Sequence, residues 1–450
     1  MKMGTEQINL AKHLWEQKLF NTEDRIRLSE CVLDFLASVL VGAQTEIGKL
    51  IIRDHMNKDL QGFAFSLAYL AELSEYSHGH HREAGHIGSS ILPVTLSLAR
   101  LEDYKDADVT GATIAGYETV ALVGESLTPD LKRQWGANIT GFGGSVGAAA
   151  VASRIFGLNV KETSDSLGIA AYLTPFTPQE GYTSGAHGFE TGVAVSHGIM
   201  AAQLAERLSS AMIDGPSNIL DAYYKRLKGM DPPAFFQSLH KTGLAIYDLY
   251  FKPYPSCRAT HGVIQGIEEL LEEGLRVEEV DEIIILTTSG AALLTGRLPS
   301  KTKLDYIDRQ FSMQYLASAV LNGKKVEDVV FGATGEEDKR FIEFASEKIS
   351  IAIKDDVGEF GERFGTVIQA WLKDGTVKVS RITHPFGSVG NPMHLDDIQN
   401  KFATIASRTI GLNFKSWEKD ALELNWHSLG QRVSEDLSTF CMNEIQTNKN

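Results

Sequence analysis

The stretch Glu75-Tyr-Ser-His-Gly-His-His-Arg-Glu-Ala-Gly-His86 is the point around which the rest of this sequence is organised. It lies between two apolar segments, 63–73 and 91–101, whose apolar spacing predicts helices. Its glycines predict a loop, and the second helix is expected to open near Pro93 because proline is tolerated in a first helical turn. Four of the thirteen histidines fall in or at the end of this loop. Imidazole ordinarily titrates close to neutrality, so the loop is the first place to look for chemistry.

The sequence around this loop predicts a mainly helical N-terminal region. Apolar residues recur at helical spacing over 22–40, with Thr22 as a possible cap and Gly42 as the expected end. Similar patterns cover 107–127 and 192–207, and the tail 395–446 is also predicted to be helical. The segment 177–190 is rich in glycine and polar residues and predicts a long loop, a kind of segment that is often functional.

A glycine-rich run, Gly141-Phe-Gly-Gly-Ser-Val-Gly147, allows two interpretations. Glycines that open a helix can bind a phosphate on their free N–H groups. Here no strand pattern precedes the run, the GxGxxG spacing is absent, and no Lys-Ser/Thr follows. The sequence therefore favours close packing of helices over phosphate binding.

The pattern changes after residue 244. The β-branched run over 280–288 predicts a buried strand, and 365–379 predicts two strands joined by a turn at Asp374-Gly375. We therefore predict two domains: a large all-helical domain from 1–246 together with 393–450, and a smaller α+β domain over 247–392. The fold class is mainly α.

Composition limits the class of protein. The 450 residues are 43% hydrophobic and 22% charged, which is ordinary for a globular protein. A net charge of -15 argues against a nucleic acid or an anionic membrane as partner, although a small anionic substrate needs only a local cluster of cations. Three separated cysteines show no disulfide or zinc pattern, and neither a signal peptide nor a membrane-spanning run is visible. We expect a cytoplasmic protein.

Four motifs occur in an order that resembles the MmgE/PrpD family over nearly the whole chain. They are Glu75-x-x-x-Gly-His-x-x-x-Ala-Gly-His86, Lys252-Pro-Tyr-Pro-Ser-Cys-Arg258-x-Thr-His261, Phe311-Ser-x-x-Tyr315 and Gly390-Asn-Pro392. That family includes 2-methylcitrate dehydratase, cis-aconitate decarboxylase and iminodisuccinate epimerase. The resemblance implies a large helical domain with a smaller α+β lid domain, a homodimer, a small polycarboxylate substrate and no required cofactor.

The resemblance also implies site residues. His86 is similar to the family's His in a His-Pro-Gly turn, Lys252 to a lid-side Lys, Tyr315 to a site Tyr, and Glu75 stands where many members have Asp. The chain departs from the family at several positions: Asn138, ahead of Thr140, replaces a His; His187 replaces a Lys; Glu190 replaces a second His; and Ser77-His78-Gly79 replaces an Asp-Asp-Thr triplet. The acid/base set therefore differs from that of the dehydratase-like members.

The residue types, considered without the family resemblance, also support proton-transfer chemistry. Proton transfer next to a carboxylate needs a base, an acid and cations that bind carboxylates, and arginine suits bidentate carboxylate binding. The catalytic candidates are His86, Lys252, Tyr315, His187 and Glu75, and the substrate-binding candidates are Arg258, Asn138, Thr140, His78, His80 and Ser256. No metal site is predicted, because no second ligand cluster is visible.

Structural roles are the alternatives for most of these residues. His86 could cap a helix, Glu75 could orient His86, and the histidines at 78, 80 and 81 could form a solvated polar loop. Lys252 could be a solvated charge, Arg258 could pair with a structural carboxylate, and Cys257 and His261 are expected to be packing residues.

Two functions follow from these residues. The first is a lyase (hydro-lyase or decarboxylase) or isomerase (epimerase) that abstracts a proton next to a carboxylate of a small di- or tricarboxylate. The second is a catalytically silent relative that binds a carboxylate or scaffolds a partner. Loss of the Asp-Asp-Thr and His-x-Thr features argues slightly against 2-methylcitrate dehydration without identifying the replacement.

Overall fold

A computed structural model of the chain describes residues 5–16, 20–82, 85–104, 108–135, 139–174, 181, 184, 186–212, 216, 218–229, 243–300, 303–357, 364–409 and 414–447. The chain divides into two compact units. The first comprises Met1–Tyr182, Ala186–Tyr250 and His394–Asn450, and the second comprises Thr183–Gly185 and Phe251–Met393. The domain boundaries predicted from the sequence, after 246 and before 393, lie close to these divisions.

The architecture is mainly helical, as the sequence predicted. In chain order, the described helices are α1 (Thr5–Glu16), α2 (Thr22–Gln44), α3 (Glu46–Ile51), α4 (Leu60–Leu73), α5 (Ile87–Ala99), α6 (Val109–Trp135), α7 (Ile139–Ile155), α8 (Val160–Leu173), α9 (Phe189–Leu208), α10 (Ile219–Lys228), α11 (His261–Glu272), α12 (Ser289–Thr295), α13 (Tyr306–Gln310), α14 (Met313–Leu321), α15 (Val326–Gly332), α16 (Gly335–Lys348), α17 (Leu395–Ser407), α18 (Phe414–Glu423) and α19 (Trp426–Thr447). The described strands are β1 (Gly79–His80), β2 (Leu249–Tyr250), β3 (Val280–Thr287), β4 (Ile349–Ile353), β5 (Thr366–Leu372) and β6 (Val377–Ile382).

Helix α7 forms the centre of the first unit. It packs against α5, α6, α8 and α9, and its side chains Phe142, Val146 and Ala149 belong to one buried apolar cluster with residues of α1, α6, α8, α9 and α10. A Cβ atom at Gly144 would lie 2.5 Å from Oγ of Ser90, and one at Gly147 would lie 2.3 Å from a methyl group of Val120. The glycines of α7 therefore let neighbouring helices approach closely, which confirms the packing interpretation of this run.

Three local predictions about helix ends are wrong. The residue that caps α2 is Asn21 rather than Thr22. Helix α2 does not end at Gly42 but continues to Gln44. Gly42 instead allows α4 to approach closely, because a Cβ there would lie 2.1 Å from the carbonyl oxygen of Leu70. Helix α5 opens at Ile87 rather than near Pro93, which places Pro93 in the second turn. Proline there removes one helical hydrogen bond, and burial of every residue of α5 offsets that loss.

The second unit contains a mixed four-stranded sheet. Its strand order is β4-β3-β5-β6, with β4 parallel to β3 and the other pairs antiparallel. Helix α11 packs on β5 and β6. The predicted strand over 280–288 and the predicted turn at Asp374-Gly375 are both confirmed, because β3 spans Val280–Thr287 and the turn joins β5 to β6.

The helical region also contains one short pairing that the sequence did not predict. Gly79 and His80 form β1, which pairs antiparallel with β2 of the same unit. The loop after α4 is thereby tied to the end of the first unit's second segment. Among the described helices, none combines the length and the apolar character needed to cross a membrane.

Candidate active site

Three elements of the first unit carry the side chains of the candidate site. Glu72 lies in the last turn of α4, and Glu75 follows in the turn after it. His86 occupies the residue before α5, and His187 lies in the turn that precedes α9. We call Glu72, Glu75, His86 and His187 the histidine-carboxylate cluster.

Short contacts join the four members. Nδ1 of His86 lies 2.7 Å from Oε1 of Glu72, and Nε2 of His86 lies 3.8 Å from Oε2 of Glu75. The other oxygen of Glu75, Oε1, lies 3.0 Å from Nε2 of His187, close in distance without the alignment of a hydrogen bond. The His86 side chain is 11% exposed and the other three are 2% exposed. Two imidazoles thus share one buried carboxylate.

Glu72 is held in its ionised form. Burial by itself would raise the pKa of this carboxyl, but the charge and hydrogen bond of His86, with a contribution from His187, lower it below its usual range. An ionised carboxylate only accepts hydrogen bonds, so the proton of Nδ1 of His86 points at Glu72. Nε2 is then the His86 nitrogen that faces Glu75 and is available for proton transfer.

Glu75 has an unusual backbone. Its φ of 51° lies in the left-handed region, which costs free energy for a residue other than glycine. The backbone N–H of Glu75 donates to the carbonyl oxygen of Glu72 at 3.0 Å, which closes the turn after α4. This turn aims the Glu75 carboxylate at both imidazoles.

The sequence did not single out Glu72. It is the one charged residue of a mainly apolar helix, Leu60–Leu73, and this isolation was the signal available in the sequence. The sequence predicted that Glu75 could orient His86. In the structure, the geometry gives this role to Glu72. His86 occupies the N-cap position of α5, as the capping alternative expected, but its side chain makes no capping hydrogen bond.

Two buried polar atoms of α4 have no hydrogen-bond partner among the described residues, namely Oε2 of Glu72 and the hydroxyl of Tyr69. Burial raises the pKa of Tyr69 to about 12, so its hydroxyl stays protonated. The Tyr69 ring packs edge-on against Phe189 at the start of α9, with 5.0 Å between centroids. Glu72, Glu75 and His86 each bring one donor atom within 4.8 Å of the others, a spacing that is also compatible with a cation.

The glycine-rich helix lies next to the turn that carries His187. Oε1 of Glu190, in the first turn of α9, accepts a hydrogen bond from the backbone N–H of Gly141 at 2.9 Å. Thr140, a predicted substrate contact, is buried beside Gly141. Asn138, the other candidate here, lies outside the described residues.

His78 and His80 lie in the interior, so the alternative of a solvated loop is wrong for both. His78 contacts Asp34 and Tyr117 through its two ring nitrogens at 2.9 Å each. Burial lowers the pKa of His80 to about 3, with a smaller effect of Arg82, so this imidazole is neutral. The geometry thus places His78 in an internal hydrogen-bond network.

The second unit carries the remaining candidates, all of them buried. Lys252 has no exposed surface, so the alternative of a solvated charge is wrong. Arg258 donates to the carbonyl oxygens of Pro385 and Phe386 at 3.0 Å each. Ser256 shares a hydrogen bond of 2.8 Å with Thr260. Cys257 and His261 are buried, as expected for packing residues.

Tyr315 belongs to a buried group with two charged partners. Its hydroxyl donates to Oδ1 of Asp338 at 2.7 Å, and Arg309 donates to both oxygens of the same carboxylate. Burial and this carboxylate raise the pKa of Tyr315 above its ordinary value. A catalytic role for Tyr315 would require its hydroxyl to exchange Asp338 for substrate.

Comparison with known proteins adds two findings. Residues 11–231 match the MmgE/PrpD N-terminal domain, and residues 254–426 match the MmgE/PrpD C-terminal domain. Two curated proteins are similar to the chain: cis-aconitate decarboxylase of Mus musculus, 24% identical over 284 residues, and that of Homo sapiens, 24% identical over 290 residues. These alignments cover 59% and 61% of this chain and 55% and 56% of the relatives, so the chain spans about half the length of the curated relatives it matches.

Proposed function

The chain belongs to the MmgE/PrpD family of enzymes, and on that premise we propose that it is a cofactor-independent lyase or isomerase of a small di- or tricarboxylate. The proposed step is proton transfer at a carbon near a carboxylate: elimination and epimerisation remove a proton from it, whereas decarboxylation delivers a proton to the carbon skeleton as the carboxylate leaves as CO₂. Elimination, decarboxylation of an unsaturated acid and epimerisation all involve proton transfer at such a carbon. The relatives' name makes cis-aconitate the first compound to test.

The observation that carries the proposal is the pairing of His86 with Glu72. A carboxylate on Nδ1 selects the tautomer whose Nε2 accepts a proton, and it stabilises the imidazolium that forms. His86 has 11% of its side chain exposed, more than the other three members of the cluster, which favours it as the group that meets an incoming molecule. We therefore assign the role of general base to His86.

His187 and Glu75 supply a second proton-transfer group. Glu75 stands between the two imidazoles, so a positive charge on either one is stabilised by the same carboxylate. This arrangement suits a reaction in which one group removes a proton and another returns one. Lys252, predicted to be catalytic, and Arg258 and Ser256, predicted to bind substrate, keep those roles as predictions within the proposal.

Proton NMR in D₂O tests the function directly. Purified protein is incubated with cis-aconitate, 2-methylcitrate, citrate and the stereoisomers of iminodisuccinate, and the double variant His86→Gln/His187→Gln serves as control. Loss of one α-proton signal with inversion identifies an epimerase, and new vinyl signals identify a lyase. Binding of these compounds without exchange or turnover, unchanged in the double variant, would reject the proposal and favour a silent carboxylate binder.

A further inference from the structure

Asp34 of α2 lies at the centre of a buried polar network that the proposed chemistry does not use. Its Oδ2 accepts a hydrogen bond from the backbone N–H of His78 at 2.8 Å and lies 2.9 Å from Nδ1 of the same residue. Its Oδ1 accepts a hydrogen bond from Nζ of Lys401 at 2.7 Å. Asp34 and His78 have no exposed surface, and the Lys401 side chain is 5% exposed.

Lys401 also holds the backbone next to Glu75. Its Nζ donates to the carbonyl oxygen of Tyr76 at 2.8 Å and lies 3.8 Å from the centroid of the Tyr76 ring. Lys401 belongs to α17, which the chain reaches only after completing the second unit. The C-terminal part of the chain therefore supplies a direct support for the turn that carries Glu75.

The charges of the network are balanced. Burial would raise the pKa of Asp34, but Lys401 and His78 lower it below its usual range, so Asp34 is ionised. Burial lowers the pKa of His78 despite the opposing effect of Asp34, so this imidazole is neutral. Neutral His78 can donate from Nδ1 to Asp34 and accept at Nε2 from the hydroxyl of Tyr117, 2.9 Å away. Each of these groups thus has a partner, which makes the network rigid.

The geometry points to Asp34 and Lys401 as positioning residues that hold Glu75 in its left-handed backbone conformation, with its carboxylate against His86 and His187. This inference rests on the proposed function, which uses those imidazoles. A strained backbone conformation persists only where its surroundings over-determine it. The N–H of Glu75 donates to the carbonyl oxygen of Glu72, and the carbonyl oxygen of the following residue, Tyr76, accepts from Lys401.

The variant Lys401→Met tests the inference, because methionine keeps most of the apolar stem and removes the ammonium group. Removing one partner of a buried ion pair can destabilise the whole fold. The double variant Asp34→Asn/Lys401→Met therefore carries the test if the single variant does not fold, since it leaves no unpaired charge. Lys419→Met, on an exposed residue of α18, is the matched control.

Two measurements are needed. With a turned-over substrate, we expect kcat of the folded variant to fall roughly 10- to 100-fold with KM within about threefold, because misplaced catalytic groups slow chemistry more than binding. Independently of turnover, we expect the ¹⁵N signals of the His187 ring to move in the same direction as in Glu75→Gln.

The outcomes separate this inference from the proposed function. If no compound is turned over but the His187 ring signals move as in Glu75→Gln, the function is rejected and the positioning role stands. If the ring signals match the parent while the unfolding temperature falls, the network serves folding alone and the inference is overturned. A kcat within about threefold of the parent would overturn it as well.

Discussion

Nδ1 of His86 lies 2.7 Å from Oε1 of Glu72, although fourteen residues separate them in the sequence. One residue ends α4 and the other precedes α5, so the contact depends on how the loop between these helices folds back. The pair sets both the tautomer and the orientation of the imidazole. The catalytic role of the pair can therefore be tested by replacing Glu72 as well as by replacing His86.

Replacing His86 should abolish most of the activity. His86→Gln removes the proposed base while keeping a polar side chain, and loss of such a group typically costs roughly 10²–10⁴-fold in rate. The rate of substrate turnover, followed by proton NMR, measures the effect. His81→Ala, in the same loop and only partly buried, should stay within about twofold of the parent. Activity of His86→Gln within about threefold of the parent would exclude His86 as the base.

Glu72→Gln should lower kcat roughly 10- to 100-fold, because the amide cannot stabilise an imidazolium as the carboxylate does. Gln keeps an acceptor for Nδ1 of His86, so the fold should be retained. The measurement is steady-state kinetics beside circular dichroism, with Glu46→Gln, whose side chain is 90% exposed, as the control. An unchanged kcat would show that the contact has no catalytic role.

Glu118 should make the free energy of unfolding depend on pH. Burial raises its pKa from 4.5 to about 7, with neighbouring Asp248 adding to the effect and the N–H of Ala245 opposing it. The folded state therefore holds a proton that the unfolded state has released between these values, so the free energy of unfolding falls as pH rises from about 4.5 to about 7.

Glu118→Gln should remove this dependence. We expect the variant to be more stable than the parent at pH 8 by about 1 to 3 kcal/mol, with a much smaller gain near pH 4.5. Urea unfolding at the two pH values measures the difference. An equal gain at both values would show that folding does not raise the pKa of Glu118.

Gly144→Ala should destabilise the first unit by about 1 to 3 kcal/mol, because the added methyl group overlaps Ser90 of α5. Gly335→Ala, at the start of α16 with nothing within 4 Å of the added carbon, is the matched control and should be neutral or slightly stabilising. Thermal unfolding of both variants tests the packing role of α7. Equal effects of the two substitutions would contradict it.

Removal of metal ions should leave turnover unchanged. The carboxylates of Glu72 and Glu75 already lie against imidazoles, so the cluster balances part of its charge internally. Dialysis against a chelator, with metal content measured by mass spectrometry, is the experiment. A loss of turnover that a divalent cation restores would instead make Glu72, Glu75 and His86 ligands.

Local patterns predicted the elements whose causes are local. The β-branched run of β3 and the Asp374-Gly375 turn depend on neighbouring residues, and both formed as predicted. Gly42 and Pro93 did not mark helix boundaries, because packing against distant residues determines the structure at both positions. Gly42 allows close contact with Leu70, and α5 is buried along its whole length.

The sequence by itself determined the helical class, the α+β character of the second unit, and the loop that contains His86. Only the tertiary structure decided that Glu72 pairs with His86, that His187 meets Glu75, and that His78 belongs with Asp34 and Lys401. The physical reason is separation along the chain. Apolar periodicity reports which face of an element is buried, whereas the partner of a buried polar group is set by which distant element packs there, 367 residues away for Lys401 and Asp34.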